Sequence, residues 1–364
     1  MGSFLHLLAG ENKKIWRQKP AVIMLIILLG VYLILSLALI FGDDKMDRSL
    51  VKPIGSDFAM QEHELLYKNG MIITEQDVST YKNSLESSRR LVESFDKQSS
   101  DPNVNNYSAS ERYDSRKSLQ FDEKDYAIKK YRFDNNMFAY EDTDIHFLFC
   151  GASVAIFSTI TTVGMLIIGT VSVAGETSDE SIRLLLIRPF KRWKVLTAKF
   201  LSVLLYALFM YALGLALTFI LGGVLFGFDG FNSVLVASFG RNSAFAAGVI
   251  PYTLLKAALS FAKIVIFISI VFLISSLLKS RALTVGIVMV IYFLASPAFS
   301  LLAMLDIDFT KYLIFFNLDL NSFLSIEGPA HPALTFVQSA VAMAVHFVAF
   351  MAISYAVFIK RDVK

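Results

Sequence analysis

The sequence predicts an all-α polytopic membrane protein. It has six transmembrane helices, an N-terminal amphipathic helix at the membrane interface, and a mainly helical extracellular domain between spans one and two. Three observations carry this prediction. Hydrophobic residues make up 55% of the chain and gather in long runs, of the length a ~30 Å hydrocarbon core requires. One polar insertion, residues 42–145, interrupts these runs after the first of them. Lys and Arg concentrate in alternate connections, because basic residues near span ends resist translocation.

Residues 1–19 form the cytoplasmic amphipathic helix. Phe4, Leu5, Leu8, Ile15 and Trp16 share one face, with Lys13, Lys14, Arg17 and Lys19 on the polar side. Such a basic helix with a Trp suits the membrane surface. Span one is 20–41, opened by Pro20, a good first helical residue. Its full-length apolar run differs from the short core of a cleavable signal peptide, so no such peptide is expected.

Residues 42–145 form the extracellular domain. Residues 43–145 carry 21 acidic and 15 basic residues, while the rest of the chain is net basic. Within the insertion, Val78, Tyr81, Leu85, Ser88, Val92 and Phe95 alternate by three and four, which predicts a helix over 75–96. Thr74 followed by Asp77 predicts its capped start. Residues 97–110 read as a loop, and 111–133, with Tyr113, Leu119, Tyr126 and Tyr131, as more helix. The domain is either a platform for a substrate or partner, or a solvated cap shaping the outer mouth. His63 beside Glu62 and Glu64 makes no metal site, because adjacent residues do not share a helix face.

Residues 146–364 hold five further spans. Span two, 146–174, carries Gly151, Gly164 and Gly169, small residues that suit close helix contact between chains or within one. The lone cysteine, Cys150, reads as a small buried residue. After the cytoplasmic loop 175–199 comes span three, 200–227, and then an outer connection, 228–250, with Asp229 and Arg241. Span four, 251–278, contains Lys256 and Lys263, seven apart and so on one helix face. They either snorkel to headgroups or line a path that attracts an anionic substrate. Lys279 and Arg281 mark a cytoplasmic turn before span five, 283–303. The outer loop 304–333 is acidic, with an apolar middle at 312–316 that dips into the leaflet or forms short helices. Span six is 334–359, followed by Lys360, Arg361 and Lys364. The short outer connections hold only Arg241 and Lys311 as basic residues, so both termini are expected in the cytoplasm.

The loop 175–199 organises the chain. Arg183, Arg188, Lys191, Arg192, Lys194 and Lys199 oppose only Glu176, Asp179 and Glu180. Ile182, Leu185 and Leu186 make an apolar stripe on a short helix that Pro189 ends. An amphipathic helix with a basic collar is a docking element for a soluble partner.

These residues resemble the cytoplasmic loop of ABC-2 type transporter permeases. Glu176, Leu185, Leu186, Pro189, Arg192 and Lys199 match that family's pattern, while Glu180-Ser181 stands where it has Gly-Thr. The resemblance implies a membrane subunit of a bacterial ABC exporter. Two permease chains, identical or homologous, would work with two separate ATPase subunits, coupled through Glu176, Arg183, Leu185, Leu186, Arg188, Pro189 and Arg192. It also implies that the N-terminal helix packs beside the ATPase, the alternative to a plain interfacial anchor.

The chain has no GxxxxGK[ST] phosphate loop, no HExxH and no GxSxG. It is therefore expected to be no enzyme and to hold no cofactor or metal, with ATP and Mg bound by the partner. No span carries a carboxylate pair, which argues against an ion-coupled carrier. No folded basic domain with interleaved aromatics suggests nucleic acid. The expected location is the bacterial plasma membrane, in contact with lipid. The function expected is export of an antibiotic, peptide, lipid or similar substrate; the alternative is an ABC-like sensing or signalling assembly that transports nothing.

Overall fold

The computed structural model describes residues 2–41, 73–99, 108–137, 145–178, 191–278, 280–305 and 307–360. Helix α1 (Gly2–Arg17) and helix α2 (Lys19–Phe41) meet at Gln18, with a bend of 60° between Phe4–Arg17 and Lys19–Leu35. Two helices of the insertion follow, α3 (Glu75–Ser99) and α4 (Ala109–Asp134). The bundle continues with α5 (Ile145–Ser178) and α6 (Arg192–Phe226). Strands β1 (Val234–Ser238) and β2 (Ala244–Gly248) come next, then α7 (Val249–Leu277), α8 (Arg281–Ala303) and α9 (Phe336–Lys360). Among the described residues, α5, α6, α7 and α9 are each long and apolar enough to cross a membrane. The bent α1–α2 pair makes a fifth crossing if it counts as one, and α8 contributes the shorter apolar stretch Arg281–Leu294. This is a mainly helical polytopic membrane protein.

Helices α5 and α7 form the middle. Helix α5 packs on α7, α6, α8 and α2, and α9 closes against α7. Hydroxyls inside these apolar helices bond to their own backbone: Thr162 donates to the Ser158 carbonyl and Thr170 to that of Leu166, both at 2.7 Å. The helices turn apolar residues outward as well. Val337, Val341, Val345 and Val348 on α9 are all exposed, a stripe suited to lipid and costly in water.

The three glycines of α5 face their own chain. A Cβ on Gly164 would lie 2.9 Å from Met24, one on Gly169 3.0 Å from Val271, and one on Gly151 3.4 Å from Lys256. Packing within the chain, not between chains, is the use the fold makes of them. Another close approach in the bundle is at Gly214, where a Cβ would lie 2.7 Å from the Phe157 ring. Tyr32 also donates to the Gly214 carbonyl there, at 3.1 Å. Gly214→Leu is expected to lower the thermal midpoint in detergent, by the ~1–3 kcal/mol of an overpacked core; an unchanged midpoint would contradict this packing.

In the insertion, the predicted stripe is the packed face of α3. Leu85 and Phe95 are buried and the other four stripe residues are half-buried. Thr74 and Asp77 cap each other: the Thr74 amide donates to Asp77 at 2.8 Å and the Asp77 amide to Thr74 at 3.1 Å. Helix α4 starts inside the region read as a loop, at a capping box in which the Glu111 amide donates to Ser108 and the Ser108 amide to Glu111. Arg116 pairs with Asp96 at 2.8 Å and Ser88 bonds Asp122, so α3 and α4 run antiparallel.

The connection 228–250 is not simply irregular. It folds into an antiparallel hairpin with Val234 opposite Gly248 and Ser238 opposite Ala244. Its turn closes through the Phe239 amide and the Ser243 carbonyl, at 2.8 Å, around Gly240 at φ +75°. The apolar middle of the outer loop turns inward. Ile314 and Phe316 are buried in a core cluster with α7 and α8, carried by 3-10 turns at Asp308–Tyr312, Ile314–Phe316 and Leu320–Phe323. Backbone hydrogen bonds within these turns satisfy groups that lipid would leave bare.

Candidate functional site

Two regions carry charge in unusual places, at opposite ends of the bundle. At the first, α1 lies along the start of α6. Leu7, Val195 and Ala198 are buried together, with Phe4 packed against them. The buried face of α1 runs through Leu7, Glu11 and Ile15; of the predicted set only Ile15 is buried, with Phe4 and Leu8 half-buried and Leu5 and Trp16 exposed. Leu5 is 63% exposed, and Trp16 lies at the edge, 4.7 Å from the Phe209 ring centroid and 5.1 Å from that of Tyr206. The reason is electrostatic. Lys199 sits inside the packed face of α6, and the Glu11 carboxylate turns inward to meet it at 2.8 Å. Lys14 reaches the other carboxylate oxygen at 2.7 Å.

The same contacts correct the bounds of loop 175–199. Helix α5 runs on to Ser178, and Arg192–Lys199 belong to α6. Lys199 is thus a buried helical residue rather than part of the loop. Arg192 donates to the Ile359 carbonyl at 3.0 Å, tying the start of α6 to the end of α9. Glu176 lies in the last turns of α5. Arg183, Leu185, Leu186, Arg188 and Pro189 fall outside the described residues.

At the opposite end, α4 lies over the outer loop and the hairpin. Tyr113 donates to the Ala330 carbonyl at 2.9 Å, and Lys117 to the carbonyls of Glu327 and Pro329 at 2.6 and 3.0 Å. Lys124 is fully buried and donates to Phe323 at 2.9 Å and Ser325 at 2.5 Å, with Ser322 at 3.4 Å. Burial, and then repulsion from Lys117, pushes the Lys124 ammonium down to about 8. Burial also lowers Lys117, against the pull of Glu327. Gly328, at φ +68°, lets the loop pass under α4, where a Cβ would meet the Gln120 amide at 2.5 Å. Arg241 of the hairpin bonds the Pro332 carbonyl and stands 3.9 Å from Glu123. The insertion is therefore fastened to the bundle through this helix.

Beneath this cover lies a cavity of about 1260 Å³ between α4, α5, β1, α7, α8 and the outer loop. Lys256 and Lys263 both line it. Lys256 stands over the Tyr252 ring, 5.5 Å from its centroid, and abuts Gly151, so it is held against α5 rather than reaching out to headgroups. Sequence spacing put the two lysines on one face; the cover of α4 and the outer loop had no local signature. Among the described residues no group of three or more His, Cys, Asp or Glu could hold a metal ion.

A family model described as "Protein of unknown function (DUF2705)" matches residues 110–364. The chain is similar to the "Uncharacterized protein YhcI" of Bacillus subtilis (strain 168), 26% identical over 212 residues, which is 57% of this chain and 66% of that protein. It is also similar to the "Uncharacterized membrane protein YdbK" of the same organism, 25% identical over 199 residues, 55% of this chain and 76% of that one. The matched stretch thus spans about two thirds of YhcI and three quarters of YdbK.

Proposed function

The chain belongs to the DUF2705 family, and we propose that it is the membrane subunit of an ATP-binding cassette exporter. It crosses the bacterial plasma membrane six times, with α2 and α8 as full spans and both ends of the chain in the cytoplasm. It works as a pair, with an identical or homologous second permease. A separate ATPase, two copies per complex, supplies ATP and Mg, and this chain holds no cofactor. The observation that carries the reading is the gathering of α1, the start of α6 that follows the basic loop, and the end of α9 on one face. The buried Glu11–Lys199 pair and the Arg192–Ile359 bond draw them together. A push on the loop would be transmitted directly into α6 and α1.

In this reading Leu185 and Leu186 fill an apolar groove on the ATPase, and Arg183, Arg188 and Arg192 pair with its acidic rim. Glu176 and Pro189 bound the coupling segment. The test is co-purification of this chain with a soluble P-loop ATPase encoded beside it. L185E/L186E is expected to abolish co-purification while leaving the thermal midpoint of the chain unchanged. Retained co-purification would remove this docking site. A sensing assembly is the second reading, favoured by the fastening of α4 to the loop over the cavity. The two separate on whether substrate accumulates in cells once the partner's ATP hydrolysis is blocked: accumulation means export.

A further inference from the structure

The cavity under α4 combines features that a packing defect would lack. Its volume of about 1260 Å³ exceeds the roughly 300–1,000 Å³ of most small-ligand pockets. Three ammonium groups line it, on Lys117, Lys256 and Lys263, against two carboxylates, on Asp319 and Glu327. Lys117 is committed to the backbone carbonyls of Glu327 and Pro329. The Asp319 carboxylate accepts the Asn321 amide at 3.2 Å and so caps a 3-10 turn. Among the described residues, neither Lys256 nor Lys263 forms a salt bridge or donates a hydrogen bond, and the Asp319 carboxylate attracts Lys256 only from beyond contact distance. Charged groups at bilayer depth are expensive, and a pair kept facing one cavity calls for an anion to offset them.

The walls between these lysines are aromatic: Tyr252, Phe267, Tyr292, Phe299 and Phe315 all line the cavity. Its rim includes Leu148 on α5 and Phe293 on α8, which are 59% and 60% exposed. Both side chains are apolar and exposed, so the mouth of the cavity is apolar on that side and suits a lipid-like tail. Lys256 and Lys263 are two turns apart on α7, a separation of about 10 Å along the axis. A charged head entering at Lys256 therefore has a second station deeper in the bundle.

We propose that this cavity binds an anionic amphiphile, its head on Lys256 and Lys263 and its apolar tail along the aromatic wall, and that this is the substrate class the exporter carries. The naming of a substrate rests on the permease reading above; the binding site does not. The head chemistry is shared by acidic phospholipids and small soluble phosphates, and the apolar rim and aromatic wall select the amphiphile.

The experiment is a fluorescence titration of the full chain, purified in a neutral maltoside detergent without any ATPase. Nitrobenzoxadiazole-labelled phosphatidylglycerol and phosphatidylcholine are the probes. The acidic lipid is expected to bind at least ten-fold more tightly than the zwitterionic one. K256Q/K263Q should erase that preference and K256R/K263R should keep it. Glycerol 3-phosphate at millimolar concentration should not displace the acidic lipid. Equal binding of the two lipids, a preference that survives K256Q/K263Q, or its loss in K256R/K263R would each overturn the proposal. So would displacement by glycerol phosphate as effective as by unlabelled lipid, which would make this a site for soluble anions. Selective lipid binding with failed ATPase co-purification would remove the exporter and leave the site; the reverse result would do the opposite.

Discussion

Lys199→Met is expected to loosen the N-terminal helix from the bundle and to cost about 3–5 kcal/mol, the range for breaking a buried ion pair from one side. Glu11 and Lys199 meet at 2.8 Å with side chains 4% and 2% exposed. Removal of the ammonium leaves the Glu11 carboxylate buried, with Lys14 approaching only from the rim. Leu7 and Ile15 flank the pair and Ser202 donates to the Leu8 carbonyl at 3.4 Å, but this packing does not offset a buried carboxylate left with Lys14 alone. Glu11→Leu combined with Lys199→Met replaces the pair by apolar groups of similar volume, and most of the lost stability is expected to return. The measurement is a double-mutant cycle on the thermal midpoint, with protease sensitivity of residues 2–17 as the local readout. Equal loss in the single and double variants would show that the pair contributes nothing through its charges. Because the pair ties α1 to the segment that follows the basic loop, the single variant is also expected to weaken ATPase stimulation in the proposed complex.

The second large effect is expected at Lys124. Its ammonium joins α4 to the outer loop through the carbonyls of Phe323 and Ser325. Lys124→Met keeps the volume but leaves these buried carbonyls unmet, at a cost of ~3 kcal/mol on the ~1–3 kcal/mol scale of a buried unsatisfied group. The insertion should then become sensitive to protease at the loop between α3 and α4 while the bundle stays intact. The dependence on pH has a definite sign. The docked ammonium titrates at about 8, below its ordinary 10.5. Between those values the undocked state binds more protons, so docking strengthens as pH rises through that window and is flat below it. The neutral amine still donates two hydrogen bonds and gives up the long contact to Ser322. The difference in protease half-life between the parent and Lys124→Met should therefore widen from pH 8 to pH 10. A narrowing would mean that the charge itself, rather than the hydrogen bonds, holds α4 down.

Much of the helical scaffold was legible in the sequence because it depends on local pattern. The apolar runs at 146–174 and 251–278 became α5 and α7 with ends shifted by a few residues. The 3-4 stripe on α3 became its packed face, and Thr74–Asp77 its cap. Ser108 and Glu111 carried a readable capping signal, obscured by the polar composition of 97–110. The hairpin at 234–248 was harder. Its strands are five residues each, Ala and Gly dilute the β-branched positions of the second, and only Gly240 with Asn242 hints at the turn. Of the proposed coupling residues, Arg192 opens α6 and bonds the end of α9. Lys199, which reads as the end of a basic run, is a core residue.

What the chain alone determined is its division into lipid-compatible helices and polar connections, because hydropathy over about twenty residues is a property of each segment by itself. Which face of each helix turns inward was decided only in the folded molecule. The inward turn of Glu11 depends on Lys199, 188 positions away, and the burial of Lys124 on carbonyls some two hundred positions on. Likewise Lys256 and Lys263 were a charge pair on one face until α4 and the outer loop closed a cavity over them. Burial changes the worth of a charge far more than its neighbours in sequence do, and burial is set by partners that no local pattern records.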